Sequence, residues 1–254
     1  MSNSKDYLPN GNYGTGVFRR RIRLTGTAGC VEAGLEDDFH AFTMTLHHDG
    51  SRVKSVSGEA LRFPSHTCRE APGLLQSFAG RLLTADHTQF RDYEDPTRHC
   101  THLHDLLWLA AAQALRPSST RQYDVAVPDL QDGVTTAEVT FDDTVAHRWT
   151  TDLLTIRAPE NLAGSPLQKG FSRWASGRFA GDLLAAAFVL QMGIFVARGR
   201  RHDVETWRRN FTGVAAGTPA VCHTFQPDVR LRYRPGLGLL RDFSAVPDRL
   251  LQFL

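Results

Sequence analysis

Apolar and polar positions alternate from Phe18 to Leu24, so the basic run Arg19-Arg20-Arg21-Ile22-Arg23 reads as one strand with a solvated face. Thr25 to Gly29 makes a turn, and a second strand is expected over Val31 to Glu36. Phe42, Met44 and Leu46 then alternate with Thr43, Thr45 and His47. The Asp49-Gly50 pair that follows is a strong hairpin signal. The chain is expected to return from Arg52 to Phe63, with Gly58 a bulge. Pro64 stops the sheet. A helix is expected from Glu70, with Pro72 in its first turn, Leu74, Leu75 and Phe78 as its buried stripe, and Gly80 as its cap.

The period changes to helical from about Thr97 to Leu115, where Leu103, Leu106, Leu107, Ala110 and Ala114 share one face. On the helical wheel His99 and Cys100 fall on that face at the N-terminus, His102 and His104 at its edges, and Asp105 away from it. The second half predicts strands at Tyr123–Val127, Thr135–Phe141 and Arg148–Arg157, a short helix over Leu167–Ala175, a long apolar helix from Asp182, and a strand near Val229–Tyr233. The whole predicts an α+β fold, with a curved antiparallel sheet, helices packed on one face, and a second sheet-and-helix layer from the C-terminal half. Residues 1–16 are expected to be a flexible arm, and 17–254 one globular domain with subregions 17–116 and 117–254. No internal repeat is visible.

Composition narrows the function classes. With 29 basic and 27 acidic residues, the chain lacks the segregated basic excess of a nucleic-acid binder. The apolar run from Leu183 to Ala197 falls short of the roughly 20 residues of a spanning helix, so a buried core helix is expected and no membrane partner. The N-terminus lacks the apolar core of a signal peptide, and the four cysteines lack disulfide-like spacing, which together suggest reduced thiols and the cytoplasm. No phosphate loop, dinucleotide fingerprint, zinc-protease motif or nucleophile elbow occurs, so no nucleotide cofactor is expected. A small-molecule substrate is the expected partner, and a homo-oligomer is compatible with the composition.

Candidate chemistry gathers in Arg98-His99-Cys100-Thr101-His102-Leu103-His104-Asp105, which holds three of the eleven histidines and one of the four cysteines. A thiol at a helix N-terminus, beside Arg98, is favoured as the thiolate and could serve as nucleophile or metal ligand. His66 and Cys68 lie in a loop expected to face the same helix end, where His66 could act as general acid or base. The catalytic candidates are His66, Cys68, His99, Cys100 and His102. Against them stands the plainer reading of a buried apolar Cys100, a His99 bonded to backbone and a His66 in solvent. His47-His48 sits at a hairpin tip, and Cys30 and Cys222-His223 are structural on this reading.

Two resemblances follow from these residues. The order of strands, hairpin, Cys68, helix ending in Gly, then His99-Cys100 opening a helix resembles the iron–sulfur cluster scaffold proteins over roughly residues 36–115. That resemblance implies a metal set of Asp38, Cys68, His99 and Cys100. The scaffold family's first cysteine falls at Glu36 here, and the remaining Cys, Cys, His and Asp would suit zinc. Over nearly its whole length the chain also looks like a bacterial domain of unknown function. The marks are Cys-Thr-His-Leu at 100–103, Tyr123 to Asp129, and Gly170-Phe171-Ser172-Arg173-Trp174. Some members of that family come from bacteria that degrade aromatic compounds. Together these readings favour an enzyme acting on a small hydrophobic or aromatic molecule, with a carbon–carbon lyase using His/Cys acid–base chemistry as its specific form. The alternative is a zinc- or iron-binding, scaffold-like protein without a reaction of its own, or a non-catalytic partner subunit.

Overall fold

A computed structural model describes residues 8–254. Its eight strands are β1 (Val17–Thr27), β2 (Cys30–Asp37), β3 (Ala41–His48), β4 (Val53–Arg62), β5 (Ser119–Pro128), β6 (Thr135–Phe141), β7 (Thr144–Thr151) and β8 (Ile156–Ala158). They form one open antiparallel sheet in the order β4-β3-β2-β1-β5-β6-β7-β8. The helices are α1 (Ala71–Leu74), α2 (His87–Arg91), α3 (Thr101–Ala114), α4 (Phe171–Arg178), α5 (Gly181–Ala197) and α6 (Val204–Arg209). The α+β class is therefore as expected. The strands of the second half extend the same sheet through the β1–β5 pairing, and do not build a separate one.

Local chemistry explains the turns. Asp49 Oδ1 accepts hydrogen bonds from Ser51 N (3.0 Å) and Arg52 N (2.7 Å) while Gly50 takes φ +88°, which closes the β3–β4 hairpin. Asp142 and Asp143 both take positive φ between β6 and β7, the backbone of a primed hairpin turn. At Gly58 the register runs on unbroken opposite Met44, and the irregularities lie at Ala41/Phe42 and His47/His48. Gly58 is instead a close approach, because a Cβ there would sit 2.5 Å from the Thr43 carbonyl oxygen. Gly58→Ala should accordingly cost roughly 1–3 kcal/mol, read as a lower urea midpoint at unchanged slope.

Each half of the sheet is a four-stranded meander followed by a helix. α3 packs on β1, β2 and β3, and α5 packs on β5, β6 and β7. The sequence hides this repeated element order because the halves share no residue pattern. α3 is apolar almost all round and is correspondingly buried on nearly every side: Leu103, Leu106, Leu107, Trp108, Leu109, Ala110 and Ala111 are all inside. α5, with the turn that follows it, is long and apolar enough to cross a membrane by length and composition, and half of that stretch is buried within the fold. Asp182 in its first turn suits the positive helix end and pairs with Arg121 (2.9 Å) and Arg116.

Several elements differ from expectation. The helix expected from Glu70 is one turn, α1, between two 3₁₀ turns. The segment expected as a strand near Val229–Tyr233 is a 3₁₀ turn at Arg230–Arg232. Of the expected arm, residues 1–7 lie outside the described residues. Residues 8–16 are tied down: Asn10 N donates to Arg201 O (3.0 Å), and the amides of Gly14 and Gly16 donate to Asp129 Oδ2 (3.1 and 2.9 Å).

Candidate functional site

Three consecutive carboxylates, two ending β2 and one just past it, are buried, and each meets an arginine from a different element. Glu36 pairs with Arg62 of β4 (3.0 Å), Asp37 with Arg20 of β1 (2.5 Å), and Asp38 with Arg200 beyond α5 (2.6 Å). Arg20 and Asp37 are direct cross-strand partners. Arg20 is 1% exposed and Asp37 0%. Here the expectation of one solvated face along residues 19–23 fails for Arg20, which shares the inner side of β1 with Phe18, Ile22 and Leu24.

Asp37 organises the β2–β3 turn. Its Oδ1 accepts from the amides of Phe39 and His40 (both 2.8 Å) and lies 3.0 Å from His40 Nδ1. Its Oδ2 accepts from Arg20 Nε (3.0 Å) and Nη2 (2.5 Å). Burial alone would raise the Asp37 pKa, yet the charges of His40 and Arg20 hold it well below the usual carboxylate range. An ionised carboxylate only accepts, so His40 Nδ1 donates to it.

His102, in the first turn of α3, completes the cluster. Its ring centroid is 4.1 Å from that of His40, and its Nε2 is buried without a hydrogen-bond partner. Burial, with His40 and Arg20 adding to it, keeps His102 neutral by pulling its pKa well below the ordinary histidine value. One ligand-type atom each from Asp37, His40 and His102 lies within 4.8 Å of the others, the only such group of three among the described residues. Arg20, His102 and Asp105 also line a narrow cleft of about 10 Å³ whose other walls include Ile22, Trp108, Phe188 and Met192.

The sequence-derived candidates are dispersed. His66 is exposed, its ring 6.0 Å from that of Phe63. Cys68 Sγ sits 3.4 Å from Thr224 Oγ1. His99 precedes α3, which starts at Thr101; its ring packs on Phe78 (5.3 Å) and its carbonyl accepts from His223 N (2.9 Å). Cys100 is the N-cap residue and makes no capping bond; its Sγ lies 4.0 Å from His102 Nδ1. Asp38 is committed to Arg200 and burial pushes it up to about 7, against the pull of that arginine. No three of Asp38, Cys68, His99 and Cys100 offer ligand atoms within 4.8 Å of one another. Glu36, at the scaffold family's first cysteine position, is bound to Arg62 and accepts from Leu251 N (2.7 Å). Of the candidates named from sequence, His102 alone joins the cluster. His104, expected at a helix edge, is buried, and neither of its ring nitrogens has a hydrogen-bond partner.

The thiolate expected at Cys100 is not formed. Burial raises the Cys100 pKa far above that of a free thiol, with Cys68 and Cys222 pushing the same way. Burial likewise raises Cys68, and Cys222 is pushed up to about 11. The N-terminal dipole of α3 is outweighed because the thiol lies in a dry interior. In folded protein at neutral pH, iodoacetamide should label Cys100 at least about tenfold more slowly than in denaturant, as followed by peptide mass spectrometry.

The residues missed from sequence were Asp37, His40 and Arg20. Asp37 and His40 bracket the turn between two strands, where an acid and a histidine three apart carry no helical or strand periodicity. Compared with protein-family models and with curated proteins, the chain matches none.

Proposed function

We propose that this chain is an enzyme acting on a small hydrophobic or aromatic molecule, with His40 and His102 as its acid–base pair and Asp37 as the carboxylate that orients His40. The observation that carries this reading is the pair of adjacent imidazoles 4.1 Å apart, one fixed by an ionised carboxylate and the other neutral with a buried, unpartnered Nε2. Asp37 holds His40 in a single tautomer and stabilises the imidazolium that forms when Nε2 takes a proton. The narrow cleft beside His102, about 10 Å³ in volume, is lined mainly by apolar side chains such as Trp108 and Phe188, so a hydrophobic substrate would have to part them to reach the imidazole.

Redox-neutral carbon–carbon lysis fits this equipment. A base removes the proton of a substrate hydroxyl as the adjacent C–C bond breaks. The carbonyl fragment departs with that oxygen, and the conjugate acid returns a proton to the carbon that received the electron pair. The balance needs one proton taken and one returned.

A metal reading is favoured by the same three residues, since two histidines and a carboxylate suit zinc or iron. It ranks second because Asp37 already accepts from two amides, His40 and two Arg20 donors, so a cation would have to displace some of them and share the carboxylate with a guanidinium.

The test is a screen of hydroxyalkyl-aromatic compounds for release of a carbonyl fragment, repeated with His40→Ala and His102→Ala. Each variant should lose about 10²–10⁴-fold in kcat/KM with its far-UV spectrum unchanged. Full turnover in both sinks the acid–base reading. Elemental analysis separates the alternative: about one zinc or iron per chain, lost in both variants, supports a metal centre.

A further inference from the structure

The C-terminal region after α5 holds a second concavity that the acid–base cluster does not use. Between residues 204 and 234 lie five arginines and two acidic residues, Glu205 and Asp228. Two of those arginines are already neutralised. Arg208 pairs with Glu205 at 2.9 Å, and Arg232 donates to Glu70, with Nη2 at 3.0 Å. The two that line the concavity are not. Arg230 Nη1 donates to the Thr218 carbonyl (3.2 Å) and Arg234 Nη1 to the Tyr233 carbonyl (2.8 Å). Among the described residues neither meets a carboxylate, although both guanidinium groups have further donors to offer.

The groove has a volume of about 340 Å³, within the range of small-molecule sites. Its walls include Phe211, Val214, Leu231 and Tyr233 as well as the two arginines. The aromatic side is a built platform: Phe211 lies 4.9 Å from Tyr233 and 5.4 Å from Trp207, and Tyr233 stacks near Phe225 at 5.9 Å. Tyr233 is buried while Leu231 stands 77% exposed at the mouth. A ring can therefore lie on a rigid aromatic floor with its charged end at the arginines.

We propose that this groove binds an aromatic oxyanion, its carboxylate or phosphate held by Arg230 and Arg234 and its ring set against Phe211 and Tyr233. The charge argument is complementarity. Two guanidinium groups without acidic partners among the described residues flank an aromatic wall, and planar guanidinium matches the two-oxygen face of a carboxylate or phosphate. The site is independent of the Asp37–His40–His102 reading and stands whether or not that cluster is catalytic.

The experiment is calorimetric titration of the full chain with naphthoate, naphthyl phosphate and neutral naphthylmethanol. The tighter of the two anions identifies the oxyanion. Wild type is compared with Arg230→Ala/Arg234→Ala, Phe211→Ala and His102→Ala, each checked for an unchanged thermal midpoint. Saturable one-site binding of an anion is expected, weakened at least about tenfold in the double arginine variant and in Phe211→Ala, and unchanged in His102→Ala. Naphthylmethanol should bind at least about tenfold more weakly than the anion. The proposal is overturned if neither anion binds wild type at millimolar concentration, if the arginine variant binds as wild type does, or if His102→Ala abolishes binding. Should either alanine variant unfold, Arg230→Gln/Arg234→Gln keeps the bulk and removes the charge, and the same weakening is required of it.

Discussion

Arg20→Met should destabilise the protein by roughly 3–5 kcal/mol, the loss expected when one partner of a fully buried ion pair is removed. Met keeps much of the stem volume but leaves the Asp37 carboxylate inside with the Phe39 and His40 amides and the His40 ring as its remaining donors. The guanidinium supplies two of the five donors that reach Asp37, both to Oδ2. With that oxygen left only a 3.3 Å contact to His40 Nδ1, the carboxyl group must either stay charged in a dry site or take up a proton, and each route costs free energy. Asp37→Asn leaves the converse problem, an unpaired buried guanidinium. The double variant removes both charges, so its loss should fall short of the sum of the singles by roughly 2–3 kcal/mol in a urea-unfolding cycle. Strict additivity would mean that the pair contributes no coupling, and that Asp37 is held by its turn amides alone.

The same pair shows what the sequence could and could not reveal. Strand, hairpin and helix positions followed from periodicity, because one face of each strand is buried and polar residues repeat at every second position. That alternation also carried the location of Arg20. Phe18, Arg20, Ile22 and Leu24 have the same parity, so a strand that buries its apolar residues must bury Arg20 with them. Reading four arginines as one solvated face overlooked this. The partner was harder to see. Asp37 and Asp38 lie just past the strand expected over Val31 to Glu36, outside any periodic pattern, and burial of Glu36, Asp37 and Asp38 is tolerated because arginines at 62, 20 and 200 arrive from three distant segments.

Helical-wheel reasoning on α3 failed for a related reason. A wheel assumes one buried face, whereas α3 is covered by the sheet on one side and on another by aromatic residues before it in the chain, such as Phe78 and Phe90. His104, read as an edge residue, therefore lies in the core, edge to face with those two stacked rings. The helix also starts at Thr101, which removes His99 from the register used to aim it. Burial keeps both Cys68 and Cys100 protonated, with Cys68 adding to the effect at Cys100, but they do not converge with Asp38 and His99 on one point. Only His102 joined the cluster, because its partners came from a turn that no periodic pattern could flag.

His87→Phe should change the pH dependence of stability in a defined direction. His87 begins α2 and is 2% exposed, its ring 4.6 Å from Trp108 and 3.8 Å from Phe188. Burial lowers its pKa to about 4, with Arg91 and His104 acting in the same direction and Asp105 and Asp86 opposing. Below pH 6.5 the unfolded chain takes a proton at this site that the folded chain refuses until about pH 4. Folding stability from this group is therefore complete above pH 6.5, falls as pH drops from 6.5 to 4, and levels off below that. The drop amounts to about 3 kcal/mol. Asp38 works in the opposite sense over an overlapping range, since burial holds its proton up to about pH 7 while the unfolded carboxyl loses it near 3.8. The net pH profile of wild type thus mixes the two, with further losses on acidification from His99, His102 and His147, all lowered by burial. The comparison with His87→Phe isolates one term, because Asp38 and the other histidines are common to both proteins. Relative to wild type, the variant should gain about 3 kcal/mol between pH 6.5 and pH 4 in parallel urea titrations, whatever its stability at pH 7. Parallel pH profiles would mean that His87 takes up its proton equally in the folded and unfolded chains, and that the Trp108–Phe188 sandwich does not exclude charge.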